Sequence, residues 1–388
     1  MRVGRRAVVA VVVLLALAVG AGRATALENG LARTPPMGWN AFYSLGCRVD
    51  ERVARETADA LVTNGMAAAG YRYVLLDDCW MAHGRDPGGS LRANRDRFPD
   101  GIPALAAYVH ARGLKLGLYL AAGTHTCEYY AGSMGHLDQD VQTIAGWGAD
   151  YLKVDWCYVG MQSPRRIYAH ISRVAVATGH PMVFSVSNWG QHAPWSWGRQ
   201  VANLWRVSGD FGWAHPWSAM LSAIDTDAGL AGFAGPGAWN DPDILPVGSP
   251  ALTAREMRSA FSLWSILAAP LVAGNDVRAM PARVRGTLTN SDVIAIDQDP
   301  EGRQGTRVAA SRGREAWVRH LAGGARAILF FNRSGPERPI GLQLRRAGLA
   351  PKRRYRAREL WTGRERVVRG FLSARVPAHG VALFRVTP

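Results

Sequence analysis

Between Pro35 and about Arg285, short apolar or β-branched runs alternate with longer amphipathic ones. The short runs read as strands: MGWNAF (37–42), YRYVLLDD (71–78), LKLGLYL (114–120), DYLKVDW (150–156), PMVFSVS (181–187), NLWRVSG (203–209), GAWN (237–240) and PLVAG (270–274). Helical spacing fills the intervals, in DERVARETADALVTNGMAAAG, DGIPALAAYVHARG, LDQDVQTIAGWGA, PRRIYAHISRVAVATG, HPWSAMLSAIDT, TAREMRSAFSLWSILAA and MPARVRGTL. ARGLKL, WGADYL and ATGHPM place glycine where a helix C-terminus needs a left-handed residue. Eight strand–helix alternations over about 250 residues predict an α/β fold, a (β/α)₈ TIM barrel. The alternative is a doubly wound open sheet, but no G-x-G-x-x-G follows the first strand.

After QDPEGRQG (298–305) the period changes to two. AWVRHL, RAILFFN, IGLQL and VALFRV, separated by Gly-, Pro- and Ser-containing turns, predict a small C-terminal antiparallel β-sandwich. Ahead of the barrel, arginines at 2, 5 and 6, an apolar run from Ala7 to Val19 and a small-x-small site at Ala24-Thr25-Ala26 read as a secretory signal. That run is shorter than the roughly 20 residues of a spanning helix. The expected division is a signal peptide at 1–26, a catalytic barrel at 27–300 and a β domain at 301–388, with the mature chain exported and soluble, outside the cell.

Charge is uneven. Positions 27–300 hold 22 basic and 25 acidic residues, whereas 301–388 hold 20 basic and 5 acidic within a chain of net charge +16. The tail's arginines are scattered through strand-like segments with no interleaved stacking aromatics, so they read as a solvated face and not as a nucleic-acid site. Four cysteines, Cys47, Cys79, Cys127 and Cys157, in an exported chain predict two disulfides, with three possible pairings.

Catalytic groups in such a barrel lie where strands exit at their C-terminal ends. Those ends carry Trp39; Asp77, Asp78 and Trp80; Tyr119; Lys153 and Asp155; Arg206 and Asp210; and Asp241 and Asp243. Carboxylates accept hydrogen bonds from vicinal hydroxyls, and aromatic faces cover the C–H side of a pyranose, so the mouth suits a sugar. Glycoside cleavage needs two carboxylates in different environments. Asp155 has Lys153 on its own strand face, which is expected to depress its pKa and keep it an anionic nucleophile; Asp210, near other carboxylates, is expected to be raised and hold the acid's proton. A metal is not expected, because no H-E-x-x-H, H-x-H or EF-hand spacing occurs, and neither a G-x-S-x-G elbow nor a P-loop is present. His83, His125 and His136 read as loop anchors or outer substrate contacts.

LENGLARTPPMGWN, LLDDCWMAHGRDPGGSLRANRDRFPDGIPALAAYVHARGLKLGLY, GTHTC, DYLKVDWC, WNDPDIL and VIAIDQDPEGRQG follow one another in register from Leu27 to about Gly305. Together they resemble the melibiase-type α-galactosidases and α-N-acetylgalactosaminidases of glycoside hydrolase family 27. The resemblance implies retaining double displacement without a cofactor, with Asp155 as nucleophile and Asp210 as general acid/base. It implies sugar contacts from Trp39, Tyr119, Lys153, Arg206 and Asp243, and a grip on the 4- and 6-hydroxyls by Asp77 and Asp78. It also implies the pairs Cys47–Cys79 and Cys127–Cys157. The substrate implied first is a terminal α-galactoside of an oligosaccharide or polysaccharide. N-acetylgalactosaminide, β-L-arabinopyranoside and isomaltosyl substrates are alternatives, as is a sugar-binding module without turnover. The chain departs from the family pattern at Ala121, where Asp is common, and at Asn188, where Glu is common and the sugar's 2-substituent is read. GWNAFYSLGC replaces GWNSW, and Trp156 stands where Asn or Gly is commoner.

Overall fold

The computed structural model describes residues 27, 29–40, 42–333 and 335–388; the signal segment read at 1–26 lies outside them. All eight expected barrel strands form: β1 (Met37–Trp39), β2 (Tyr73–Leu75), β3 (Lys115–Ala121), β4 (Tyr151–Asp155), β5 (Val183–Ser187), β6 (Leu204–Arg206), β7 (Trp239–Asp241) and β8 (Leu271–Ala273). Every neighbouring pair is parallel, in the order β7-β6-β5-β4-β3-β2-β1-β8. Just past β7, Leu245 closes the ring by bridging in parallel to Ala273 and donating its amide to Val272 O at 2.9 Å. The strands are apolar on both faces because the lumen packs on one side and helices on the other.

Those helices are α1 (Phe42–Leu45), α2 (Glu51–Thr63), α3 (Ile102–His110), α4 (Leu137–Gly146), α5 (Pro164–Ala177), α6 (Pro216–Asp227), α7 (Ala254–Leu267), α8 (Ala282–Leu288) and α9 (Ser291–Asp297). Local chemistry sets their starts. Asp50 accepts from Val53 N ahead of α2, Thr253 and Glu256 form a reciprocal capping box on α7, and proline opens α3, α5 and α6. The three glycines expected to end helices, Gly113, Gly148 and Gly179, all have positive φ. The spacing did not reveal α1, which at four residues is too short to show a period, or α9.

Strand parity explains Trp156. Leu152 and Val154 of β4 face the helix layer, and Trp156 continues that series, its ring 5.3 Å from Tyr168 of α5. Tyr168 donates its hydroxyl to Val154 O, so the tryptophan is part of the strand–helix seam and not of the pocket.

The C-terminal unit comprises β9 (Thr306–Ser311), β10 (Arg314–His320), β11 (Arg326–Asn332), β12 (Arg338–Gln343), β13 (Arg354–Glu359), β14 (Glu365–Arg369), β15 (Phe371–Val376) and β16 (Val381–Thr387). They form an antiparallel sheet that folds back on itself, with β12 and β15 lying over β11, around a core including Val318, Ile328, Phe330, Leu342 and Phe384. Not all of its arginines are solvated, as the sequence had indicated. Arg319 is fully buried and donates to Ser265 O at the end of α7 (2.6 Å) and to Asp297 O at the end of α9 (3.0 Å). Arg307 and Arg333 both reach Asp225 of α6 and Glu315 of β10. Among the described residues no helix is long and apolar enough to cross a membrane.

Candidate active site

In a parallel sheet, residues in register share a face. Tyr119 pairs with Lys153, Ala121 with Asp155, Asp155 with Ser187, and Arg206 with Asp241, which sets these side chains on the lumen near the C-terminal ends of their strands. One layer below, Leu75, Gly117, Tyr151 and Val183 close the floor.

Lys153 is the centre of the cluster, but its nearest partner is not the aspartate two residues away. Its Nζ donates to Asp77 Oδ2 at 2.8 Å and stands 3.8 Å from Asp155 Oδ2 and 5.3 Å from the Tyr119 ring centre. Burial opposes the ammonium charge; Asp155, Asp77 and Asp210 outweigh it and hold Lys153 above its ordinary pKa. Asp77 Oδ2 also accepts from Asn40, and Asp77 Oδ1 from the Asp78 amide. Asp78 accepts from the amides of Cys79 and Glu128, so it ties the loops after β2 and β3 together.

Asp155 is buried, and its Oδ1 has no hydrogen-bond partner among the described residues. Burial raises its pKa; Lys153 lowers it, Asp77 and Asp210 raise it, and the result is about 6. The expected depression is therefore reversed: one cation at 3.8 Å does not offset full desolvation plus two neighbouring carboxylates. Asp210 reverses in the other direction. Its side chain is half-exposed and receives Arg206 Nη1 at 2.7 Å; burial raises its pKa, but the charges of Arg206 and Lys153 and the Arg206 hydrogen bond outweigh that and hold it low.

Arg206 is itself anchored from behind. Asp243 lies 3.0 Å from Arg206 Nη1 and accepts from Tyr43 Oη (2.6 Å), Phe211 N and Ile244 N. With only 1% exposure, Asp243 positions Arg206 from behind and lines the inner pocket beside it. Burial raises its pKa, against Arg206, to about 7.

Two expected contacts sit differently. Gly38 is in register with lumen-facing Tyr73, so Trp39 takes the opposite face of β1; it is fully buried and donates its indole N–H to Asn275 O. The lumen position is Asn40, which lines the inner pocket with Asp77, Lys153, Arg206 and Asp241. Asn188 is also fully buried, its Nδ2 on Gln191 O and its Oδ1 without a partner among the described residues. Tyr119 is on the lumen face as expected, in register with Lys153, with its hydroxyl 3.4 Å from Cys127 Sγ. Asn40 and Tyr43 were missed in the sequence because neither is charged and Tyr43 lies in a four-residue helix; counting parity from Gly38 would have found Asn40.

Both disulfides form as the resemblance implied, Cys47–Cys79 and Cys127–Cys157. The second lies against Asp155, with Cys127 Sγ 3.7 Å from Oδ2. Cys127, Asp155 and Cys157 are close enough to suggest a metal cluster, but both sulfurs are spent in the disulfide and offer no thiolate. A buried, unpartnered carboxylate oxygen beside a lysine, with a second carboxylate held by an arginine, is chemically suited to a polyhydroxylated ligand with a reactive carbon.

Residues 34–299 match the family model for alpha galactosidase A, and residues 311–386 match the alpha galactosidase C-terminal beta sandwich domain. An alpha-galactosidase of Oryza sativa subsp. japonica is 42% identical over 367 residues, 94% of this chain and 88% of the relative. Alpha-galactosidase A of Cellvibrio japonicus is 41% identical over 381 residues, covering 92% and 93%. Among solved structures, alpha-galactosidase I from Mortierella vinacea superposes with a TM-score of 0.89 at 32% identity, covering 92% of this chain and 98% of that one. The Saccharomyces cerevisiae alpha-galactosidase with raffinose gives 0.86 at 27% identity, covering 94% and 99%. The chain belongs to the melibiase-type α-galactosidase family, glycoside hydrolase family 27.

Proposed function

We propose that the protein is a secreted, retaining α-galactosidase that removes terminal α-linked galactose from oligosaccharides or polysaccharides. The observation that carries this reading is the buried Asp155 at the end of β4, with Oδ1 unpartnered among the described residues and Oδ2 3.8 Å from Lys153 Nζ. The α-galactosidases at 41–42% identity over more than nine-tenths of the chain support the substrate class. The signal-like segment at 1–26 and the two disulfides support export. The division into a catalytic barrel at 27–300 and a β domain at 301–388 is part of the same reading.

In this mechanism Asp155 attacks the anomeric carbon as the bond to the leaving oxygen breaks, and Asp210 gives that oxygen its proton. Asp210 then takes a proton from water, which displaces Asp155 and restores the original anomeric configuration. Lys153, Asp77 and Asn40 hold sugar hydroxyls, and Arg206 orients Asp210. Asp155→Asn, close in shape but without a nucleophilic oxygen pair, is expected to lower kcat by at least about 10³-fold with the fold intact. The product anomer released first, read by NMR, is expected to be α; a β product, or an Asn variant with wild-type rate, overturns the mechanism. Rates on methyl α-galactoside beside its 2-N-acetyl, β-L-arabinopyranoside and α-glucoside counterparts test the substrate, with the galactoside expected to be fastest.

A further inference from the structure

Tyr129 and Tyr158 stand on the loops that leave β3 and β4, within two residues of the Cys127–Cys157 disulfide that touches Asp155. They are 63% and 43% exposed, and their rings meet at 4.9 Å between centres. His125 packs against both, at 6.0 and 5.9 Å, and fully exposed Met161 lies on the same loop as Tyr158. Water disfavours such a patch, and nothing in the fold requires it.

The backbone beneath it is held in place. Both tyrosines have positive φ, 63° and 51°, a conformation that costs a non-glycine residue about 1 kcal/mol and collects at functional sites. Tyr129 N donates to Thr126 O and Thr124 N to Tyr158 O, and at Gly123 a Cβ would come within 2.0 Å of Cys157 O. The two loops are thereby pressed together so that both rings are presented outward.

The barrel floor beneath Asp155 is closed by Leu75, Gly117, Tyr151 and Val183. A galactoside therefore enters galactose first, and its leaving group emerges over the rim. We propose that Tyr129 and Tyr158 form the platform that binds the leaving-group sugar, so that the enzyme favours galactosides whose aglycone is itself a saccharide. The aromatic faces would cover the C–H face of that ring. This inference rests on the proposed activity.

The test compares kcat/KM on an α-galactosyl trisaccharide and on methyl α-galactoside, whose leaving group cannot reach the rim. The double variant Tyr129→Ala/Tyr158→Ala is expected to lose about tenfold or more on the trisaccharide, mainly through KM, and less than about twofold on the methyl glycoside. Tyr158→Phe, which keeps the ring face, is expected to stay near wild type on both. If the double variant does not fold, Tyr129→Ser at the more exposed ring is expected to give the same split. Equal losses on both substrates show a structural role and overturn the proposal, as does no loss on either. Wild-type protein inert on both substrates overturns the activity reading itself.

Discussion

At the residue scale, the two carboxyls of the free site titrate in the opposite order to their proposed roles: Asp155 at about 6 and Asp210 below the ordinary carboxyl value. One proton must be present on the pair for turnover. The limbs of kcat/KM therefore fall at the pair's two values, whichever oxygen carries the proton. Below the lower value no nucleophile is ionised, and above about pH 6 no acid remains. A bell-shaped profile is expected, with its maximum on the acid side of pH 6 and its upper limb near 6; a plateau through pH 8 would contradict it. Lys153→Met removes the charge that opposes burial at Asp155 and is expected to move the upper limb to higher pH.

At the element scale, the barrel strands were legible because each is an apolar run bounded by an amphipathic one. The strand-end acids were legible because charge is conspicuous in such a run. Side-chain direction was harder to read at the short strands: in three-residue β1 a single step of parity moves Trp39 out of the pocket and brings Asn40 in. Cys127–Cys157, which spans 30 residues, joins the loops that leave β3 and β4. Chain-entropy arguments give a bridge of that span about 3–4 kcal/mol. Cys127→Ser/Cys157→Ser is expected to lower Tm and to reduce kcat/KM at a temperature where the variant is still folded, because the loop against Asp155 loses its tether. Unchanged kinetics there would show that the loop is held without the bridge.

At the scale of the whole molecule, the β domain is fastened to the barrel by Arg319, whose guanidinium serves the carbonyl ends of α7 and α9. Arg319→Met, similar in bulk, forfeits two charged hydrogen bonds, on the order of 3 kcal/mol, and is expected to lower Tm by several degrees. An unchanged Tm would contradict this role. Buried acids tilt stability with pH. Burial is the first cause of the rise in each of Asp155 (about 6), Asp227 and Asp243 (each about 7) and Asp297 (about 8). An aspartate that binds its proton more tightly folded than unfolded adds stability below about pH 4, which is lost as pH rises through the folded value. Tm is therefore expected to fall between about pH 5 and 8, and a rise across that window would contradict the assignment.

Element order, the barrel, the change to a β domain and the set of acids at the strand ends were determined by the sequence alone, because periodicity and a charge set in an apolar run are local properties of a chain. The tertiary structure decided what depends on distances between strands. Lys153 pairs first with Asp77, from two strands away, and not with its own neighbour Asp155. Desolvation and the surrounding carboxylates reverse the order in which Asp155 and Asp210 titrate. Asp243 anchors Arg206, and Arg319 joins two helix ends from another domain. Electrostatic energies and hydrogen bonds are sums over all neighbours in space, and the linear spacing of residues supplies only a few of those terms.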